Sequence, residues 1–334
     1  MVKRVFQIGH GYIGGSLLVE LLKDEQYELT VLVRSDDKAA RLKALGVKSI
    51  KGGFDDQEII ANAVSRADIV IHVAFADDVP SVEAVLKGLR QRPASSDSAI
   101  YIHTSGTGQL SDEAAGRYGP RVAYSDDEPE GLDALPPTAQ HRNVDLIILK
   151  AIREEKINAR IAIMYPPCIY GLGSGPFNKQ SIQIPALIRG SIKLRAGLTV
   201  NASLHAWSSI HVHDLVRGYI TLLDAIQSHK IDLTNPYFFC ENNQPFLWRA
   251  ISYAVAQALV DQGLMQHVTL KHVPDELAAE LMGSKELTYD TFAHNSISRA
   301  ERLRGMGWKP HEVDVFRTID EEVATTLKAE HQLQ

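Results

Sequence analysis

The chain has only two cysteines, Cys168 and Cys240, among 334 residues. That excludes a disulfide framework and a cysteine-type metal cluster. It has no run of about 18 apolar residues, so no membrane-spanning helix is predicted. It has no excess of positive charge. Lys and Arg total 35 against 41 Asp and Glu, a formal net charge of −6, and no basic block stands out. Nucleic acid and anionic membrane surfaces are therefore disfavoured as partners. Internal repeats and low-complexity tracts are also lacking. The opening Met1-Val2-Lys3-Arg4-Val5-Phe6-Gln7-Ile8 reads as a strand, because its apolar run is too short for a leader peptide and meets glycines at once. A soluble protein of a reducing compartment, the cytoplasm, is the expectation. The composition, 45% hydrophobic and 23% charged, is that of a globular protein with ample core for one large domain or two.

What is present is alternation. Short apolar runs at Val5–Ile8, Leu29–Val33, Val47–Ile50, Asp68–Ala74, Ala99–His103 and Ala159–Met164 predict strands. Between them, Ser16–Lys23, Lys38–Leu45, Ile59–Ser65 and Val79–Arg90 carry helical spacing. Strands alternating with helices predict an α/β, Rossmann-type doubly wound parallel sheet. Ser125–Thr138 is acidic and Pro-rich and predicts a loop, followed by a helix over Arg142–Lys156. After Pro166-Pro167 the texture changes. Gly171–Gly175 predicts a glycine-rich loop, Ile182–Ile188, His213–Ile226 and Leu247–Gln262 predict helices, and Tyr237–Cys240 a strand. This divides the chain into a dinucleotide-binding lobe over residues 1–165 and a smaller, mainly substrate-binding lobe over 166–334. Parts of 205–240 are expected to return to the sheet.

Gly9-His10-Gly11-Tyr12-Ile13-Gly14 follows the first strand and opens the first helix. Glycines at this spacing allow the tight turn, the approach of a pyrophosphate to the backbone, and close packing of helix on strand. The phosphate then meets free N–H groups at the helix N-terminus. Arg34 ends the second strand, where an acidic residue would bind the ribose 2′-hydroxyl of NAD and an arginine suits the 2′-phosphate of NADP. NADP is the expected cofactor, with NAD as the alternative. Thr104-Ser105-Gly106-Thr107-Gly108 follows the fifth strand at the carboxyl edge of the sheet, where open α/β sheets bind ligands. Its hydroxyls are placed to orient a substrate oxygen, with Thr104 on the cofactor side.

In order and spacing the chain resembles the extended branch of the short-chain dehydrogenase/reductase family, the epimerase/dehydratase-like group, over nearly its whole length. The residues that carry the resemblance are the glycine loop with Tyr12-Ile13-Gly14, Asp68-x-Val70-x-His72-x-Ala74, and the Thr104-Ser105 turn. Pro166-x-x-Ile169-Tyr170-Gly171, His211-Val212-x-Asp214-Leu215 and Arg302-Leu303-x-x-Met306-Gly307-Trp308-x-Pro310 complete the set. The resemblance implies that Ala74 lies by the cofactor ribose, Pro166 against the nicotinamide, and a small-molecule substrate between the lobes near Tyr170 and His211. A homodimer is consistent with it.

Four departures follow. The family's glycine loop usually has one more residue between its first two glycines. Gly52-Gly53-Phe54 precedes Asp55, so no adenine-binding acid is assigned. The catalytic hydroxyl of the turn falls near Gly106, leaving Ser105 or Thr107 as substitutes. Above all, no tyrosine is followed four residues later by a lysine. At the place of that acid/base pair stand His141 and Asp145. An imidazole can do the proton work near neutral pH. Asp145, one helical turn on, could act as its charged neighbour or accept from the ribose hydroxyls, but cannot replace a cation. Arg142 supplies one, pointing about 100° around the helix. His205, His211 and His213 are read as structural, with no metal expected, Trp207 as pocket wall or core, and Cys168 as inert. Three readings stand open: an NADP-dependent oxidoreductase or nicotinamide-using epimerase/dehydratase acting on a small carbonyl or hydroxyl compound; a non-catalytic NAD(P) sensor resembling the NmrA-like branch; and a non-redox enzyme on a repurposed fold.

Overall fold

The computed structural model of the protein describes residues 2–93, 97–155, 157–283 and 292–332. Met1 and Lys156, the ends of an expected strand and helix, lie outside the described residues. Seven parallel strands form the main sheet: β1 (Lys3–Ile8), β2 (Tyr27–Val33), β3 (Lys48–Lys51), β4 (Ile69–His72), β5 (Ala99–Thr104), β6 (Ala159–Tyr165) and β7 (Tyr237–Phe239). Their order is β7-β6-β5-β4-β1-β2-β3. The order reverses between β1 and β4, and that switch point is where a doubly wound sheet opens a crevice. Every residue of β4 and β5 is buried, as strands covered on both faces must be.

The helices of this lobe are α1 (Tyr12–Leu21), α2 (Asp36–Ala44), α3 (Gln57–Arg66), α4 (Val79–Arg90) and α5 (Arg142–Glu154). Helices α3, α4 and α5 pack side by side on one face of the sheet. Of the later helices, α6 spans Gln183–Leu194 and α7 spans Val212–Gln227. Helix α7 packs against α1 on the opposite face. Thus α7 and β7 rejoin the first lobe, and their buried residues belong to its core.

A second hydrophobic core gathers around Ile184, Leu198, Trp248, Phe292 and Val323. It is built by α6, α8 (Trp248–Asp261), α9 (Asp275–Met282) and α10 (Ile319–Gln332). The segment expected to be a loop at Ser125–Thr138 contains a short helix, Pro129–Asp133. Pro129 starts it with a fixed φ, Glu130 favours its N-terminal dipole, and Leu132 is buried beneath it. No helix among the described residues is long and apolar enough to cross a membrane.

Candidate functional site

The nucleotide end is shaped by backbone. Gly9 has φ 99, and a Cβ there would lie 2.5 Å from the carbonyl oxygen of Val73, just past the end of the neighbouring strand β4. A Cβ on Gly14 would strike the Gly9 carbonyl and lie 2.7 Å from Val73 Cγ2. Gly11 differs, since a Cβ there meets nothing within 4 Å. The turn is therefore tight against the protein at its first and third glycines and open at its second. Gly11 also caps α1 without a side-chain hydrogen bond, which leaves first-turn N–H groups for a ligand. This cradle fits a pyrophosphate. Buried Gln7 fixes it, donating from Nε2 to the Gly9 oxygen at 2.7 Å and the Gly14 oxygen at 2.8 Å. Tyr12 and Ile13 supply the first two helical positions, and Tyr12 donates its hydroxyl to the Gly171 oxygen at 2.6 Å.

Around this turn the charge is positive. Arg34 is exposed at the end of β2, 5.9 Å from the Phe54 ring centroid, with no ion pair among the described residues. Of the two acidic residues that follow, Asp36 and Asp37, Asp36 is held by Lys51 at 2.8 Å. His10 meets Phe177 edge-on at 5.1 Å, and Arg41 lies 4.7 Å from the same phenyl ring. Burial, with Lys38 nearby, pushes the His10 pKa down to about 4.

The reaction end is a cleft of about 880 Å³ beyond the ends of β4 and β5. Ala74, Thr107, His141, Pro166 and Trp207 line it. His141 occupies the N-cap of α5 in the left-handed region, φ 64 and ψ −12. Its Nδ1 lies 2.9 Å from Asp77 Oδ1. The opposite edge of the ring lies over Gly106, where a Cβ would sit 3.1 Å from both Nε2 and Cδ2. The ring thus crowds the position a side chain at residue 106 would take, so the histidine and the glycine fit as a pair. Thr107 Oγ1 and Gln140 Oε1 are buried in the cleft wall without partners.

Asp145 is not part of this opening. Its carboxylate is fully buried, accepting from Ser105 Oγ and Gln109 Nε2 at 3.0 Å each. Burial raises its pKa to about 6, opposed by Tyr165, Ser105 and Gln109. Four residues along the helix does place it on the face of His141, but that face turns into the sheet rather than into the cleft. The charged partner of His141 is Asp77, and Ser105 is spent on Asp145. Arg142 is buried and donates to the Asp133 oxygen at 3.2 Å. Thr104 is also turned inward, sharing a 2.6 Å hydrogen bond with the Tyr219 hydroxyl.

Tyr170 and His211, expected at the substrate, do not line the cleft either. Tyr170 donates its hydroxyl to the Val313 oxygen at 2.9 Å and accepts from Asn242 at 3.1 Å. His211 packs edge-on against it at 5.4 Å. Tyr170 belongs to the second core, and His211 caps the start of α7, accepting from the His213 N–H. His211, His213 and Glu312 bring possible metal-ligand atoms within 4.8 Å of one another, but Glu312 is already paired with Arg217 at 2.8 Å. Cys168 is fully buried, which raises its thiol pKa and keeps it protonated.

Asp77, Gln7 and Phe177 escaped the sequence. A carboxylate 64 residues from the ring it orients carries no local signature. The amide of Gln7 gave a weak one, being a polar residue inside an apolar strand that ends in the glycine turn.

A family profile described as NAD(P)H-binding matches residues 9–123. The chain is 30% identical over 331 residues to the oxidase ucsJ of Acremonium sp, covering 93% of each chain. It is 23% identical over 327 residues to an uncharacterized protein of Saccharomyces cerevisiae, covering 95% of this chain and 97% of that one. Among solved structures, UDP-glucose 4-epimerase from Thermotoga maritima superposes with TM-score 0.67 at 14% identity, covering 98% of this chain and 99% of its own. The dTDP-glucose 4,6-dehydratase of Bacillus anthracis, in complex with NAD, gives 0.69 at 13%, covering 99% and 98%. The chain belongs to the NAD(P)-binding extended short-chain dehydrogenase/reductase family and has the fold of its epimerase and dehydratase structures.

Proposed function

We propose that the protein is an NADP-dependent oxidoreductase acting on a small carbonyl or hydroxyl compound, with His141 exchanging a proton with the substrate oxygen. The observation that carries this reading is the 2.9 Å contact between His141 Nδ1 and Asp77 Oδ1, with the opposite edge of the ring over Gly106 in the cleft. A carboxylate accepts, so Nδ1 is the protonated nitrogen and Nε2 is the exchanging one. In the reducing direction an imidazolium Nε2–H donates to the substrate oxygen, and in the oxidising direction neutral Nε2 takes the hydroxyl proton. Asp77 acts through His141 by holding its tautomer and orientation, as the carboxylate of a triad does. Thr107 Oγ1, buried in the cleft wall without a partner, would reach the same oxygen after a small side-chain rotation. Bound nicotinamide would supply or accept the hydride.

Arg34 supports NADP over NAD. It is exposed at the strand end, and of the two acids that follow, Asp36 is paired with Lys51 and Asp37 lies one residue further on in the first turn of α2. The relative named an oxidase and the neighbour holding NAD fit a redox role. A binding-only sensor is the second reading, favoured by the Ser105 hydroxyl being committed to Asp145.

Fluorescence titration with NADPH and NADH tests the cofactor. Arg34→Ala should weaken NADPH about tenfold or more and NADH little, and equal losses would remove Arg34 from the 2′-phosphate. NADPH consumption with aldehydes and ketones then separates enzyme from sensor. His141→Ala should lower turnover by about 10²-fold or more; equal turnover in both proteins would take His141 out of the reaction.

A further inference from the structure

The wall of the cleft beside His141 is nearly devoid of charge. Among the described residues lining it, Asp77 and His141 are the only ionisable ones, and neither a lysine nor an arginine faces it. Asp77 is already engaged with His141. The remaining polar side chains there are neutral, including Thr107, Gln140, Asn143 and Gln183. Apolar groups stand at the opening. Phe75 is 64% exposed and Ile182 is 69% exposed, and both line the cleft with Trp207, Pro137 and Pro167. Large apolar side chains left this exposed around a concave site mark a surface that gains by being covered.

This chemistry differs from what a nucleotide sugar requires. The structural neighbours include enzymes holding UDP-glucose. A diphosphate taken out of water needs cationic or multiple N–H partners. Here it would find no cation and would face the Asp77 carboxylate. A cation does lie in an adjoining cavity of about 430 Å³, namely Arg121, stacked 4.3 Å from the Tyr118 ring. The segment 136–139 contributes to both cavities and stands between them.

We infer that the substrate is a neutral, predominantly apolar compound that presents a single carbonyl or hydroxyl to His141, and that phosphorylated and carboxylated compounds are rejected. This rests on the oxidoreductase reading for the role of the oxygen, and on the cleft lining for the rest of the molecule. Phe75 and Ile182 cover the apolar body, while the neutral side chains of Thr107, Gln140 and Asn143 line the wall at its polar end.

The test is a binding measurement that does not depend on turnover. Trp207 lines the cleft, so quenching of its fluorescence reports occupancy, and Trp207→Phe identifies the signal. NADP-saturated protein is titrated with 2-acetylnaphthalene, with its ring-carboxylated analogue, and with UDP-glucose. The neutral ketone should bind at least about tenfold more tightly than the carboxylate, a difference of about 1.4 kcal/mol, and UDP-glucose should give no quench. Ile182→Lys should narrow that ratio or invert it. Tighter binding of the carboxylate or of UDP-glucose, no binding of the ketone, or a ratio unmoved by Ile182→Lys would each overturn the inference. NADPH consumption is followed in parallel samples in which NADPH replaces NADP. A ketone that binds as expected but is never reduced, across the aldehyde and ketone panel, removes the oxidoreductase reading and leaves the ligand class standing.

Discussion

At the nucleotide end of the cleft the site is made by main chain: Gly9 and Gly14 pressed against Val73, Gly11 left open, and the uncapped start of α1. At the reaction end it is made by side chains from three separate segments. His141 comes from the start of α5, Asp77 from the loop after β4, and Thr107 from the turn after β5. A main-chain site needs six consecutive residues with the right conformations, so its tolerance is set by sterics. A side-chain site needs the fold to bring distant groups together, so its tolerance is set by chemistry. The two ends should therefore fail in different ways.

The largest expected effect is on stability in acid, and it arises under the reaction end. His72 on β4 and His103 on β5 are fully buried, with ring centroids 5.1 Å apart. Burial lowers the His72 pKa to about 4 and drives that of His103 well down. A folded-state pKa below the unfolded value gives stability that is present above about pH 6.5 and lost as pH falls towards 4. For His72 alone this amounts to about 3 kcal/mol. Asp145 has the opposite sign. Its pKa is raised to about 6, so its contribution is present in acid and lost as pH rises through 6. The histidines outweigh it, so Tm should fall steeply below pH 6, and His72→Gln should flatten that slope. An equally steep slope in the variant would show that the strain lies elsewhere.

Next in size is Gly14→Val, which forces a side chain onto the Gly9 carbonyl and Val73. Overpacking of this kind costs about 3 kcal/mol, read as a lower urea midpoint together with lost NADPH binding. Asp77→Asn probes the other end. It should lower kcat by about a hundredfold with Tm and NADPH affinity unchanged, and a parallel loss of affinity would mean that Asp77 shapes the nucleotide end as well. Gly106→Ser restores a side chain where the family has one, yet it should cost about tenfold in kcat because it displaces the His141 ring. A gain in activity would show the hydroxyl to matter more than the imidazole. The smallest effect on the fold is Gly11→Ala. Its Cβ meets no protein atom, so Tm should hold while NADPH weakens about tenfold.

The same contrast explains what the sequence disclosed. The six sheet strands before residue 166 and the glycine turn are local features, legible from apolar runs and from spacing. The structure places β7 at the edge of the sheet and α7 against α1. The reaction end was legible only in part. Resemblance singled out His141, and the structure places its side chain in the cleft wall. Helical spacing put Asp145 on the same face, without revealing that the face packs inward against Ser105 and Gln109. Tyr170 and His211 were read from their motifs, and motifs give a position along the chain but not the direction of a side chain. Asp77 was invisible because an unpatterned loop supplies it from across the fold.

His141 holds its ring in place from a left-handed backbone, φ 64, a conformation that suits glycine or asparagine and costs other residues about 1 kcal/mol or more. A thermostability screen blind to activity would therefore discard this histidine early, choosing Gly or Asn at position 141. Consensus design or directed evolution for heat tolerance on this scaffold would drift towards a sturdier protein without the histidine to which we assign the proton exchange. Any such campaign must hold position 141 fixed.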